Sequence, residues 1–167
     1  EDILSKALHE KLIIEFVDSK LSILVKEIAL AEDFKVIVNT KKEIVLNEKI
    51  IGKVIGFQTK LYELESYKKN KTIYNKVISK ISDVINEYVV SISKRKNLKL
   101  QIKENLSIFF EGHNIASIYK GENIIKPRLI ISSNQFIKKE NYVMLREKIQ
   151  DCLSIFIKEA FKEQTIN

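Results

Sequence analysis

The stretch IVLNEKIIGKVIGF, Ile44 to Phe57, returns 64 positions later as IFFEGHNIASIYKG, Ile108 to Gly121 (108 − 44 = 64). The likeness is one of pattern: Ile44 falls on Ile108, Leu46 on Phe110, Ile51 on Ile115, Gly52 on Ala116 and Val54 on Ile118. At the same offset the match runs outward in both directions. Upstream, the alternating Phe34, Val36 and Val38 fall on Leu98, Leu100 and Ile102; downstream, Ile81, Ile85, Val89 and Ile92 fall on Leu145, Ile149, Leu153 and Phe156. A period of two gives way to a period near 3.6 in both copies, as expected of strands followed by a helix. Self-similarity at a fixed offset is read as an internal repeat. The expected fold is α+β: a long N-terminal helix, then two tandem β-β-β-α units.

The expected organisation is a helical segment at 1–33, a first unit at 34–97 and a second at 98–167. Residues 2–32 contain no Gly or Pro, and Ile3, Ala7, Ile14, Val17, Leu21, Leu24 and Ile28 follow a heptad-like seam broken at Glu10. This helix is expected to pack on the sheets of both units or on the absent part of the parent protein. In the first unit, Phe34–Asn39, Glu43–Leu46 and Ile50–Leu61 read as a three-stranded meander, with Gly52 and Gly56 inside the last strand as marks of a bulge or a close backbone approach. A polar connection at 62–70 leads to an amphipathic helix carrying Ile73, Val77, Ile81, Ile85, Val89 and Ile92. The second unit repeats the order with strands at Leu98–Ile102, Leu106–Phe110 and Asn114–Lys120. It then departs, with a loop at Gly121–Pro127 and an additional strand at Arg128–Ser132. The last helix, Lys139–Lys162, turns Tyr142, Leu145, Ile149, Cys152, Leu153 and Phe156 to the core.

The bulk composition, 45% hydrophobic and 31% charged over 167 residues, is that of an ordinary globular chain able to bury a core without staples. No apolar run reaches the roughly 18 residues that span a bilayer, so no membrane partner and a cytoplasmic location are expected. The first residue is Glu and the chain opens in mid-helical pattern, which suggests a piece of a longer polypeptide. The single cysteine, Cys152, allows no internal disulfide. A formal charge of +7 favours polyanions, because Lys and Arg release counterions condensed on phosphates. Yet of 29 basic residues only Arg95, Arg128 and Arg146 are arginines, and the wealth of Lys, Ile and Asn is also what an AT-rich genome imposes.

No reactive constellation is visible. The triphosphate-cradling pattern GxxxxGK followed by Ser or Thr is absent. His9-Glu10 opens like a zinc protease motif, but Ile13 stands where the second His belongs, and His9, His113 and Cys152 make no zinc set. No catalytic residue, metal or cofactor is expected in this chain. The candidates are basic and aromatic. Lys120, Lys126 and Arg128 flank the extra loop, with Tyr119 beside them, and Lys94, Arg95, Lys96 and Lys99 cluster between the copies. On one face they would track a phosphate backbone while Tyr119 or Phe109 stacks a base.

Ala7-Leu8-His9-Glu10-Lys11-Leu12, then Phe16-Val17-Asp18 and Ser22, resembles the ALHERL…FVD…S segment that follows the motor domains in a group of bacterial ATP-dependent superfamily 2 helicases, similar to the RNA helicase of the mitochondrial degradosome. Further pieces come in the same order. Ile51–Phe57 resembles the family's VGxLxGF, Ser107–Ile118 its IxWxGxxVAxL, and Gly121–Leu129, GENIIKPRL, its GxDxLxPRV. Phe110 stands where the family tends to have Trp, and Lys42-Glu43 and Glu104-Asn105 stand where it has Asp-Gly turns. The resemblance implies a non-catalytic C-terminal accessory region contacting RNA or DNA. The motor domains, with their ATP and Mg²⁺, would then lie in a missing N-terminal part. The alternative is a protein-interaction module that docks the motor or a partner nuclease.

Overall fold

A computed structural model of the protein describes residues 2–9, 11, 28, 34–62, 68–123 and 126–166. The architecture is α+β, with two four-stranded antiparallel sheets, each followed by a long helix, among the described residues. The first sheet runs in order β1 (Val36–Val38), β2 (Glu43–Leu46), β3 (Lys49–Ile55) and β4 (Gln58–Leu61), followed by α1 (Lys71–Ser93). The second repeats it as β5 (Leu100–Ile102), β6 (Ser107–Phe110), β7 (His113–Tyr119) and β8 (Arg128–Ile131), followed by α2 (Lys139–Ile166). Residues 2–9 are helical, as is Ile28, which is buried in the first core. The rest of the long N-terminal helix, including most of its heptad-like seam, lies outside the described residues.

The duplication holds at the level of the backbone. Adding 64 to the bounds of β1, β2 and β3 gives those of β5, β6 and β7. Each β2–β3 type pairing slips at the same place, between Ile44 and Val45 in one copy and Ile108 and Phe109 in the other. This bulge lets one strand bring two successive residues to the core side, Ile51 and Gly52 in one case and Ile115 and Ala116 in the other. The hairpin turns Asn47-Glu48 and Glu111-Gly112 both hold two residues at positive φ, the geometry whose twist matches paired strands. Lys42 and Leu106 share a left-handed φ of 64° and 62°. Each accepts the same cross-strand bond through its carbonyl, from the Val54 and Ile118 N–H groups respectively.

Each unit has four strands, not three. The expected single strand at Ile50–Leu61 folds back at Gly56, whose φ of +62° makes the turn, and the resulting β4 pairs with β3. The additional strand of the second unit is therefore the counterpart of β4, and what sets the second unit apart is loop length. Two residues join β3 to β4, whereas residues 120–127 join β7 to β8. Gly52 does mark a close approach, since a Cβ there would stand 2.6 Å from the Lys60 carbonyl oxygen across the β3–β4 pair.

The helices cover one face of the sheets. Ile73, Val77, Ile81 and Ile85 of α1 enter the first core, and Val89 and Ile92 of the same stripe enter the second. In α2, Leu145, Ile149 and Leu153 are buried as expected, but Cys152 is only half-buried and Phe156 is 55% exposed, and both line an open cleft with Leu98, Leu100 and Ile102. Asn70, the start of the Asn-Lys-Thr sequence, caps α1 by accepting the Ile73 N–H.

The cores exchange residues. Phe136, after β8, joins the first, while Phe57, from the β3–β4 turn, joins the second and stacks on Phe110 at 5.5 Å between centroids. Asn86 locks the crossing. Buried in α1, it donates from Nδ2 to the Ser82 and Phe136 carbonyls at 2.7 and 2.8 Å, and accepts on Oδ1 from the Lys138 N–H and Asn141 Nδ2, both at 2.8 Å. Asn134 adds a second tie, donating to the Phe57 carbonyl and the Thr59 hydroxyl.

Candidate nucleic-acid interface

Strand alternation decides which residues of the second sheet face away from the helices. Leu100, Ile102, Ile108, Phe110, Leu129 and Ile131 point into the core, so Gln101, Phe109, Arg128 and Ile130 point outward, joined by Ser117 and Tyr119 from β7. Tyr119, 52% exposed, sits directly across from Arg128 in the β7–β8 register. Lys103, two residues beyond Gln101, lays its ammonium 3.8 Å over the Phe109 ring. That contact is a cation–π interaction on a half-buried aromatic.

The β7–β8 loop closes this end of the face. A Cβ at Gly121 would collide with the Lys126 carbonyl, so the neck of the loop needs glycine there. The Lys126 N–H is held by Asn123 Oδ1 at 2.8 Å, and Gln150 of α2 donates to the Pro127 carbonyl at 3.2 Å. Lys120 and Lys126 are exposed on the two flanks of the loop. Pro127, which lacks an N–H, enters the edge strand β8, where no ladder bond is asked of it. Glu104 and Glu122 stand exposed at the rim and carry the opposing charge.

The structure brings together Tyr119, Lys120, Lys126 and Arg128, and adds Lys103. The cluster Lys94 to Lys99 goes elsewhere. Lys94 ends α1 and lines the groove between the two helices with Asp83, Glu87 and Lys138. Arg95 lies 3.9 Å from Glu111, which is also 3.9 Å from Lys42. The Lys96 carbonyl accepts from Lys148 Nζ, and Lys99 precedes Leu100, which pairs with Phe110. Glu111, beside Arg95, stands in the hairpin turn before β7 and Tyr119 at the far end of that strand, at least roughly 20 Å away at a strand rise near 3.3 Å. A run that is contiguous in sequence is dispersed because the chain reverses there from helix into strand.

Lys103 ends the basic run that begins at Lys94, and its place two residues beyond outward-facing Gln101 puts it on this face. At the junction end, Tyr88 lies beneath Lys42, whose ammonium is 4.8 Å from its ring. Burial, and then the Glu111 carboxylate, push the Tyr88 hydroxyl up to about 12, with Arg95 pulling the other way. Among the described residues, no group of three or more His, Cys, Asp and Glu comes together, and no helix is long and apolar enough to cross a membrane. Comparison of the chain with family models, with curated proteins and with solved structures returned no match.

Proposed function

We propose that this chain is a non-catalytic, nucleic-acid-contacting accessory region of a cytoplasmic ATP-dependent helicase. The observation that carries the reading is the outer face of the second sheet. Tyr119 and Arg128 stand side by side there, and Phe109 lies under Lys103, on a surface that the helices leave open. Open sheets with exposed rings and flanking cations suit single strands. Every base offers a π-face, and phosphates are held without regard to sequence. The helicase context rests on the ordered motifs from Ala7 to Leu129, and it puts ATP and Mg²⁺ in motor domains elsewhere in the polypeptide.

The test is fluorescence anisotropy of labelled single-stranded RNA and DNA over a salt series. Binding is expected to fall with salt, and the RNA-to-DNA ratio names the substrate. Tyr119→Ala is expected to weaken binding by roughly 1–3 kcal/mol, the usual worth of one stacked base. Arg128→Gln and Lys126→Gln each remove one phosphate contact, about 0.7 from the salt slope on a single strand. Unchanged binding in all three variants would remove this surface from the reading. A second reading, docking to the motor or a partner nuclease, is favoured by the exposure of Ile3, Leu4 and Leu8 on helical residues 2–9. Concentration-dependent sedimentation and binding to separately expressed motor domains test it.

A further inference from the structure

Tyr88 of α1 and Cys152 of α2 are matched at the 64-residue offset (152 − 88 = 64), and the exchange of a ring for a thiol leaves room in the second unit. In the first unit the Tyr88 ring packs against the core that holds Val36 and Ile44, and the Lys42 ammonium lies 4.8 Å over it. The matching strand residues of the second unit are Leu100 and Ile108, and there the helix brings only Cys152 to them. The helices also sit differently. Whereas α1 lies along β1, α2 approaches its sheet at β8, the opposite edge from β5. Between α2 and β5 this leaves a cleft of about 180 Å³.

The lining suits an aromatic ring. Leu100, Ile102 and Ile108 contribute to it from the strands, Leu153 and Phe156 from the helix, and half-buried Cys152 stands at the position that carries the ring in the first unit. Apolar cavities of about 150 Å³ stay dry and take up benzene, because water finds no partners in them and an aromatic restores the missing contacts. Among the described residues, Glu159 alone brings a charge to the lining. Its counterpart in the first unit is Arg95, whose charge acts on the Tyr88 hydroxyl. A carboxylate in that place accepts a hydrogen bond from a hydroxyl and repels a second carboxylate.

We propose that this cleft is a binding site for a small monocyclic phenol, whose ring takes the place that Tyr88 fills in the first unit and whose hydroxyl donates to Glu159. The volume holds one ring with a small substituent, which is why the occupant is a free molecule. The duplicated fold is its own template here, since the first unit shows a phenol ring seated against the matching strands. The cleft lies on the helix side of the second sheet, away from the outward Tyr119 and Arg128. The assignment therefore stands independently of the nucleic-acid reading.

The probe is 4-methylphenol, the tyrosine side chain as a free molecule, and the full chain is its target. Cys152 is the chain's single cysteine, so its alkylation by iodoacetamide, read by mass spectrometry, reports on the cleft alone. Calorimetry is expected to give a Kd of roughly 1 mM or tighter for a ligand of this size. At about ten times that Kd, 4-methylphenol should slow alkylation about tenfold, the factor 1 + [L]/Kd. The carboxylate 4-methylbenzoate should bind about tenfold more weakly, and Glu159→Gln should narrow that gap. Cys152→Tyr supplies the ring from within and should abolish 4-methylphenol binding while circular dichroism shows the helix content retained. Protection from alkylation is measured on the unaltered chain, so a folding defect in Cys152→Tyr does not shelter the proposal. Tyr119→Ala should change neither readout. No slowing of alkylation, equal binding of the benzoate, or binding retained in folded Cys152→Tyr overturns the proposal. So does tighter binding of an acetyl-Gly-Tyr-Gly-amide peptide than of 4-methylphenol, which would assign the cleft to a tyrosine side chain of a partner protein.

Discussion

Replacing Asn86 with Ala tests whether one side chain fastens the two units together. Asn86 is 6% exposed and makes four hydrogen bonds of 2.7–2.8 Å, three of them to residues 136, 138 and 141 of the other unit. The bonds are not equal in consequence. The Ser82 carbonyl sits in a helix, the Phe136 carbonyl keeps the Ser82 hydroxyl at 2.9 Å, and the half-buried Asn141 amide has access to water. The Lys138 N–H loses the acceptor that fixes it at the first turn of α2. One stranded donor costs about 1–3 kcal/mol and each lost net bond about 1 kcal/mol, so the loss comes to roughly 3 kcal/mol. In a domain of this size that lowers Tm by about 6–12 °C. Urea unfolding followed by circular dichroism measures it, with Asn141→Ala as the comparison at under about 1 kcal/mol. A loss in Asn86→Ala no larger than that comparison would refute the reasoning, since the junction would then be held by packing and by the Asn134 and Ser82 hydrogen bonds without Asn86.

Leu106 holds a left-handed φ of 62° with no glycine to permit it, and over half its surface is exposed. That conformation costs about 1–2 kcal/mol for an L-residue, and glycine returns about 0.4–1 of it through the unfolded chain. Leu106→Gly is therefore expected to stabilise by roughly 0.5–1 kcal/mol in the same urea assay, and destabilisation would show that its side chain packs usefully. The Tyr88 hydroxyl, at about 12 in the folded protein against an ordinary 10.0, contributes stability that is complete below pH 10. Because the folded state holds this proton more tightly, the contribution fades as pH rises from about 10 to 12. Unfolding measured from pH 9 to 12 should fall more gently in Tyr88→Phe than in the parent; parallel curves would deny the shift. Lys103→Ala removes a proposed phosphate contact and at the same time frees the face of Phe109 from a cation–π contact worth about 0.5–1 kcal/mol. Its single-strand binding should be weaker than the parent's at low salt and equal or tighter at high salt, and curves that never approach one another would show that Phe109 takes no base.

The repeat was legible because the buried face of each strand and helix repeats at a fixed offset, and burial is what period reports. Ile44 and Ile108, or Ile85 and Ile149, occupy the same place in their cores. The fourth strand of the first unit was not legible as separate. Gln58–Leu61 follows β3 with only a two-residue turn between, and a glycine at positive φ is indistinguishable in sequence from one inside a strand. The site divides the same way. Tyr119 and Arg128 were readable because a proline marks the start of β8 and the alternation continues through it. Arg95 read as part of a basic patch because sequence neighbours look like spatial neighbours, but the turn out of α1 sends it to Glu111. The cleft between α2 and β5 was invisible for the opposite reason: Ile102 and Cys152 are distant in sequence, and only the packing of helix on sheet makes them neighbours.

Register also explains how the two units are fastened. The first sheet meets the second end to end: Lys42, from the β1–β2 turn, reaches Glu111, and a Cβ on Gly56, from the β3–β4 turn, would press on Ile115 and His113. The end that docks is the one with the Lys42 and Gly56-Phe57 turns, and Phe57 is the plug, stacked on Phe110 inside the neighbouring core. At the corresponding end of the second unit the plug position is Gly121, and six more residues fill out the loop before β8. That end of the second unit therefore carries neither the aromatic plug nor the short turn of the first. The insertion that replaces the plug is the loop that carries Lys120 and Lys126 up to Tyr119 and Arg128, so the residues that set this end of the second unit apart are those that build the proposed contact with nucleic acid.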